Sequence, residues 1–180
     1  MFLDRDGVLN EPVLVASRPH PPGSVAELRL APGAPEACRR LRDAGLLLVV
    51  VTNQPDIARG TQSRETVDAI NAEVARRTSV DAVLVCPHDD GDGCGCRKPA
   101  PGLLLEAAAR WNLDLPRSVL VGDRWRDIDA GRAAGCATVL VDRTYDERRG
   151  TGADLVVGGL HEAVPWILRW TGTAPREKVV

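Results

Sequence analysis

Aromatic residues are nearly missing from this chain. Among 180 residues there are one Phe, one Tyr and four Trp, 3% in all. That is too few for the stacking platforms on which single-stranded nucleic acids are bound, and the core must be built from Leu, Val, Ala and Ile. Neither sign of charge dominates: 23 Lys and Arg against 25 Asp and Glu leave a formal net charge of −2, without the basic stripe that nucleic acid requires. No apolar run approaches the roughly 20 residues of a membrane span, and no basic segment and secretory apolar core follow Met1. A cytoplasmic location is therefore the default expectation. The five cysteines are odd in number and mostly crowded into 86–96, which speaks against a disulfide framework and for metal ligation in a reducing compartment. What is left is a chain long enough for one domain with a real core. It is expected to span 1–172, with 173–180 a frayed tail, to act as a monomer, and to meet a small molecule rather than nucleic acid or membrane.

Short apolar runs end repeatedly at residues that can do chemistry. Phe2–Leu3 precedes Asp4, Leu46–Val51 precedes Thr52, Val83–Val85 precedes Cys86, Val119–Val121 precedes Gly122 and Val139–Val141 precedes Asp142. Valine-rich runs of this length are what strands buried on both faces look like. Between them lie helical stretches at about Pro35–Ala44, Arg64–Arg77, Gly102–Trp111 and Trp125–Ala134, the first and last closed by glycines and the second opened by Ser63. Alternating strand and helix predict a parallel sheet covered on both faces. Asp154–Val157 is expected to add an edge strand and Leu160–Trp170 a final helix. From Asn10 to about Pro32 the pattern is too weakly apolar for a folded cap, so this segment is expected to be a substrate-facing loop. Only three residues precede Asp4, a short central strand that reads as a translation start placed late or as a trimmed chain.

The most informative stretch is Asp4-Arg5-Asp6-Gly7. A strand that runs into a Gly-opened turn can aim two carboxylates at one point beyond its C-terminal end, where α/β sheets bind ligands. An aspartate pair in a turn is also a common hydrogen-bonding cap. What decides between these is Thr52-Asn53-Gln54 after a later apolar run, Lys98 in Cys96-Arg97-Lys98-Pro99, and Gly122-Asp123 through Asp127 after a further apolar run. In this order the four blocks resemble the haloacid dehalogenase superfamily of phosphotransferases, over nearly the whole chain. Cys86-Pro87-His88 followed by Cys94-Gly95-Cys96 resembles its zinc-bearing subgroup, which contains heptose-bisphosphate and histidinol-phosphate phosphatases.

The resemblance implies a capless, Rossmann-like phosphatase domain acting on a small phosphorylated substrate, a sugar bisphosphate in the first place and histidinol phosphate as the alternative. Asp4 would be the nucleophile that forms an aspartyl-phosphate, and Asp6 the acid and base that serve the leaving alcohol and the attacking water. A carboxylate attacking a phosphate dianion needs a hard cation, and Mg²⁺ held by Asp4, Asp6 and Asp123 fits. Asp127 would hold a metal-bound water or serve as a helix-start carboxylate. Thr52 and Lys98 would stabilise the phosphoryl oxygens, while Asn53, Gln54, Arg97 and Arg124 would contact substrate. Arg59, Arg18, His20 and Trp125 are weaker candidates.

Cys86, His88, Cys94 and Cys96 offer a complete tetrahedral set for structural Zn²⁺, with no position left open for catalysis. The Asp- and Gly-rich loop between them has little reason to fold without such a clip. Cys38 and Cys136 read as small buried hydrophobes. The chain departs from the heptose enzymes at Glu11-Pro12-Val13-Leu14-Val15 and at Pro55-Asp56-Ile57-Ala58-Arg59-Gly60, which touches substrate choice rather than chemistry. The reading from another class is a zinc-stabilised binding module without catalysis; the complete set Asp4, Asp6, Thr52, Lys98 and Asp123 argues against it.

Overall fold

In a computed structural model, which describes residues 1–15, 18–143, 145, 148 and 151–173, a six-stranded parallel sheet forms the centre. Its strands are β1 (Phe2–Leu3), β4 (Val49–Asn53), β5 (Ala82–Cys86), β6 (Val119–Gly122), β7 (Ala137–Val141) and β8 (Leu155–Val157), in the order β5-β4-β1-β6-β7-β8. The shortest strand, β1, is central: Phe2 pairs with Val49 on one side and Leu120 on the other. Both faces of the sheet are apolar because both are covered. Leu3, Val50, Val121 and Val139 pack under α1 (Ala34–Asp43), α2 (Arg64–Thr78) and α5 (Leu160–Trp170). Phe2, Val49, Val51 and Leu120 pack under α3 (Gly102–Trp111) and α4 (Trp125–Ala133).

The helices begin and end where local chemistry says they should. Ser63 Oγ accepts from the Thr66 amide at the start of α2, as a serine cap does, and Gly45 and Gly135, both at positive φ, follow α1 and α4. The expected helices are all present within a residue or so of their bounds. Three strands run past their apolar runs, so Thr52, Asn53, Cys86 and Gly122 are strand residues, and β8 starts one residue later than expected.

The segment from Asn10 to Pro32 is not wholly irregular. It carries a two-stranded antiparallel ribbon, β2 (Val13–Val15) and β3 (Arg18–His20), which the proline-rich composition concealed; Pro19 donates no amide and is tolerated on such an edge. The ribbon is too small to be a cap domain. No helix among the described residues is long and apolar enough to cross a membrane. The tail expected to fray lies outside the described residues from 174 on.

Candidate active site

The sheet sends five strand ends to one edge, and the chemistry collects there in a cleft of about 460 Å³. Asp4 leaves β1 with its amide bonded to the Val121 carbonyl at 2.8 Å, and its side chain is buried. Lys98 Nζ donates to Asp4 Oδ1 at 2.7 Å, to the Val51 carbonyl at 2.8 Å and to Asp127 Oδ1. Lys98 is held in place through its backbone by Asn53, whose side-chain amide donates to the Lys98 carbonyl (3.0 Å) and accepts from the Lys98 amide (3.1 Å). Thr52 is buried one strand over from Asp4, with its Oγ1 accepting from Gln54 Nε2 at 3.1 Å.

Three carboxylates, Asp4, Asp123 and Asp127, bring oxygens within 4.8 Å of one another, against a single ammonium. Asp123 and Asp127 come from the turn and first helical turn behind β6, and glycines make the approach possible. A Cβ at Gly122 would overlap the Asp127 side chain, and a Cβ at Gly7 would overlap the Asp123 carboxylate. Gly7 also holds a φ of 85°, which an L side chain adopts at a cost of about 1–2 kcal/mol. Gly7→Ala is therefore expected to lower the melting temperature and, by displacing Asp123, to depress turnover; a variant with wild-type melting and wild-type kinetics would show that the turn has room.

Burial pushes the Asp4 carboxyl up to about 6; Lys98 opposes this, and Asp127 and Asp6 add to it. Burial, followed by the charges of Asp4 and Asp127, raises Asp123 well above the usual carboxylate range. Burial alone would lower Lys98, but Asp127 and Asp4 more than reverse it, so the ammonium stays charged. The cluster thus has a surplus of negative charge looking for a cation. Tyr145, from the segment after β7, donates its hydroxyl to Asp123 Oδ2 at 2.8 Å, whereas the buried Asp123 Oδ1 has no partner. An oxygen-only set with one oriented, unpartnered carboxylate oxygen fits a small hard cation.

Asp6, expected in the metal set with Asp4 and Asp123, has its carboxylate committed to other groups. Its carboxylate is turned onto Arg5, Asn10 and Gln54 and lies outside the three-carboxylate group, whose third member is Asp127. Burial raises Asp6, but the Arg5 charge and these hydrogen bonds outweigh it and hold the carboxyl below the usual range. Gln54, expected to touch substrate, is buried and bonded to Asp6 and Thr52, and Asn53 braces Lys98.

The second cluster sits beside the first. Cys86, at the end of β5, gathers His88, Cys94 and Cys96 so that their ligand atoms lie within 4.8 Å of one another. The Sγ–Sγ distances of 3.2, 3.5 and 3.7 Å and the Sγ–Nδ1 distances of 3.3 and 3.6 Å are far beyond a disulfide bond of about 2.05 Å. They are close to the edges, about 3.5–3.8 Å, of a tetrahedron with zinc bonds of 2.0–2.3 Å. The loop docks on α3 where Gly102 has no side chain: its amide donates to the Gly95 carbonyl at 3.0 Å, and a Cβ there would overlap that carbonyl.

Arg97, directly after the last cysteine, donates to Asp90 at 2.8 Å and to the His88 carbonyl at 3.2 Å, bracing the loop while lining the cleft. Arg126 meets the same Asp90 carboxylate at 3.0 and 3.2 Å, and Arg59 clasps Asp89 at 2.6 and 2.7 Å. Arg124, His20 and Arg59 line the cleft; the Arg18 side chain lies outside the described ones. Trp125 packs under the guanidinium groups of Arg126 and Arg148. Arg126, Tyr145 and Arg5 were missed in the sequence. The usable signal for the first two was their position just beyond the C-terminal ends of buried strands.

A protein-family model described as HAD-hydrolase-like matches residues 95–163. The chain is 38% identical to the D-glycero-beta-D-manno-heptose-1,7-bisphosphate 7-phosphatase of Bordetella bronchiseptica over 90% of its length and 88% of the relative's. It is 36% identical to the D-glycero-D-manno-heptose-1,7-bisphosphate 7-phosphatase of Thermosynechococcus vestitus over 98% and 97%. Among solved structures, that of the B. bronchiseptica D,D-heptose 1,7-bisphosphate phosphatase complexed with magnesium and phosphate aligns with a TM-score of 0.81 at 35% identity, covering 94% of this chain and 97% of that one. A HAD-like phosphatase from Mesorhizobium loti aligns at 0.76 and 34% identity, covering 98% and 87%.

Proposed function

The chain belongs to the haloacid dehalogenase superfamily, among the D-glycero-D-manno-heptose-1,7-bisphosphate 7-phosphatases, and on that premise we propose that it removes the 7-phosphate from a heptose 1,7-bisphosphate through an aspartyl-phosphate on Asp4. The observation that carries this reading is the single ammonium of Lys98 shared by Asp4 and Asp127 on the floor of the cleft, beside an unpartnered Asp123 oxygen.

Asp4 lines the cleft with the Lys98 ammonium on it, and it attacks phosphorus to split one displacement into two. Lys98 stays charged and stabilises the phosphoryl oxygens as they gain charge. Thr52 supplies a hydroxyl on the neighbouring strand end. Asp6 protonates the leaving alcohol and later takes the proton of the hydrolytic water. Asp4, Asp123 and Asp127 would hold Mg²⁺, directly or through its waters, and its chemistry is to offset repulsion between the carboxylate and the phosphate. Cys86, His88, Cys94 and Cys96 would hold Zn²⁺ as a structural clip that fixes the loop delivering Lys98. Zinc thiolates of this kind suit a reducing cytoplasm, and we take the domain to act as a monomer.

The test is a specificity panel. Phosphate release is expected to require Mg²⁺, to stop reversibly on mild chelation without unfolding, and to be fastest by kcat/KM on a heptose 1,7-bisphosphate, ahead of histidinol phosphate and p-nitrophenyl phosphate. A preference for histidinol phosphate would move the substrate assignment, and metal-independent release would remove the mechanism.

Arg97→Ala separates recognition from chemistry. A charged hydrogen bond to a remote phosphate is worth about 1.5–3 kcal/mol, roughly ten- to a hundred-fold in kcat/KM. That loss is expected for the bisphosphate alone, with p-nitrophenyl phosphate nearly unchanged. Parallel losses would mean that Arg97 acts chiefly as the brace of the zinc loop.

A further inference from the structure

Arg5, between the two aspartates of the first motif, is fully buried and is committed on both sides. Its Nε and one terminal nitrogen donate to the Asp6 carboxylate at 3.2, 3.1 and 2.9 Å, while the other donates to Asn71 Oδ1, on α2, at 2.7 Å. Asn10 Nδ2 and Gln54 Nε2 add bonds to Asp6 at 2.9 and 2.8 Å. Both amides aim their N–H groups at Asp6 and leave their own oxygens, Asn10 Oδ1 and Gln54 Oε1, buried without a partner. A turn does not need this many donors on one carboxylate. Nor is a buried ion pair a strong stabiliser, since well-packed apolar replacements often do as well. The turn is already closed by backbone bonds, with the amides of Leu9 and Asn10 on the Arg5 carbonyl at 2.9 and 3.1 Å.

We infer that Arg5, fixed from behind by Asn71, is a positioning residue for Asp6: it holds the acid/base carboxylate in one orientation, with its remaining exposed edge, 20% of the side chain, toward the cleft. This rests on Asp6 being the acid and base. In the first step the Asp4 carboxylate forms a bond to phosphorus as the bond to the bridging oxygen breaks, and Asp6, ionised in the resting site and protonated from water once the phosphate dianion lies beside it, passes that proton to the bridging oxygen. Transfer requires hydrogen-bond reach, and misplacement by about 1 Å can cost on the order of a hundred-fold. The α2 helix, which contributes nothing else to the cleft among the described residues, thereby reaches the proton-transfer step through Asn71 and Arg5.

The experiment is Asn71→Leu, close in shape but unable to accept from Arg5, with single-turnover phosphoenzyme formation measured for an alkyl phosphate, whose leaving group needs a proton, and for p-nitrophenyl phosphate, whose leaving group does not. Formation is expected to fall about ten- to a hundred-fold for the alkyl ester and to change little for the aryl ester. In an Asp6→Asn background the same substitution should add nothing further. Arg5→Lys keeps the buried charge and the Asp6 pair but cannot span to Asn71, so it repeats the contrast if Asn71→Leu does not fold. Equal losses for the two esters in a folded variant, or losses that add to Asp6→Asn, overturn the positioning role. The premise is read separately: if Asp6→Asn alone shows no selectivity between the esters, it is the acid/base reading that fails.

Discussion

Asp4→Asn is expected to keep the wild-type fold and to lose at least about a thousand-fold in turnover, a barrier increase of about 4 kcal/mol. The amide has the carboxylate's shape and can still accept from Lys98, but it cannot attack phosphorus. Mass spectrometry of acid-quenched protein should find the phosphorylated aspartate in the wild type and not in the variant. Substantial turnover by variant protein free of other phosphatases would remove Asp4 from its role. The same substitution should raise the stability of metal-free protein at neutral pH. The Asp4 pKa is raised from 3.8 to about 6 by burial, so folding favours the protonated acid. That preference is fully present below about pH 4, and ionising the buried group costs stability as pH rises through about 6. The melting temperatures of wild type and variant should therefore converge below about pH 4, separate between about pH 4 and 6, and stay apart above that, with the variant higher. A variant that is less stable at pH 7 would mean that the Lys98 pair outweighs the repulsion among the three carboxylates.

Losing one of the four ligands proposed for zinc should act on the whole protein. Free energies of about 10–16 kcal/mol are associated with structural zinc in small domains. If Cys96→Ser forfeits a third of that, the loss is about 3–5 kcal/mol, and at about 2–4 °C per kcal/mol for a chain of this size the melting temperature falls by about 6–20 °C. Zinc measured by elemental analysis is expected near one equivalent in the wild type and well below it in the variant. Activity should fall with it, because Lys98 follows the last ligand by two positions and the Asn53 side chain braces its backbone against that loop. Zinc-free wild-type protein with unchanged melting and turnover would refute the structural clip.

Much of this was legible along the chain because it is local. A valine run followed by Asp, Thr or Cys marks a buried strand whose end opens at the ligand-binding edge of a parallel sheet, and no knowledge of neighbours is needed to read it. The quartet Cys86, His88, Cys94 and Cys96 is likewise a short-range pattern, since two arms of one loop can close on a metal whatever the rest of the fold does. The ribbon at 13–20 was less visible, because three residues per strand with a proline carry too little periodicity to register.

The sequence by itself determined the alternation of strand and helix, the Cys/His quartet, and which strand ends carry polar and charged residues, since each is dictated by side chains within a few residues of one another. Only the tertiary structure decided that Lys98 lies between Asp4 and Asp127, that Asp6 turns away from the carboxylate cluster toward Arg5 and Asn71, and that Tyr145 orients Asp123. Apart from the neighbours Arg5 and Asp6, those pairings join residues 22 to 94 positions apart. They exist because the strand order places β1 between β4 and β6, and burial at that junction leaves each charged group with no solvent to satisfy it and only one another to face.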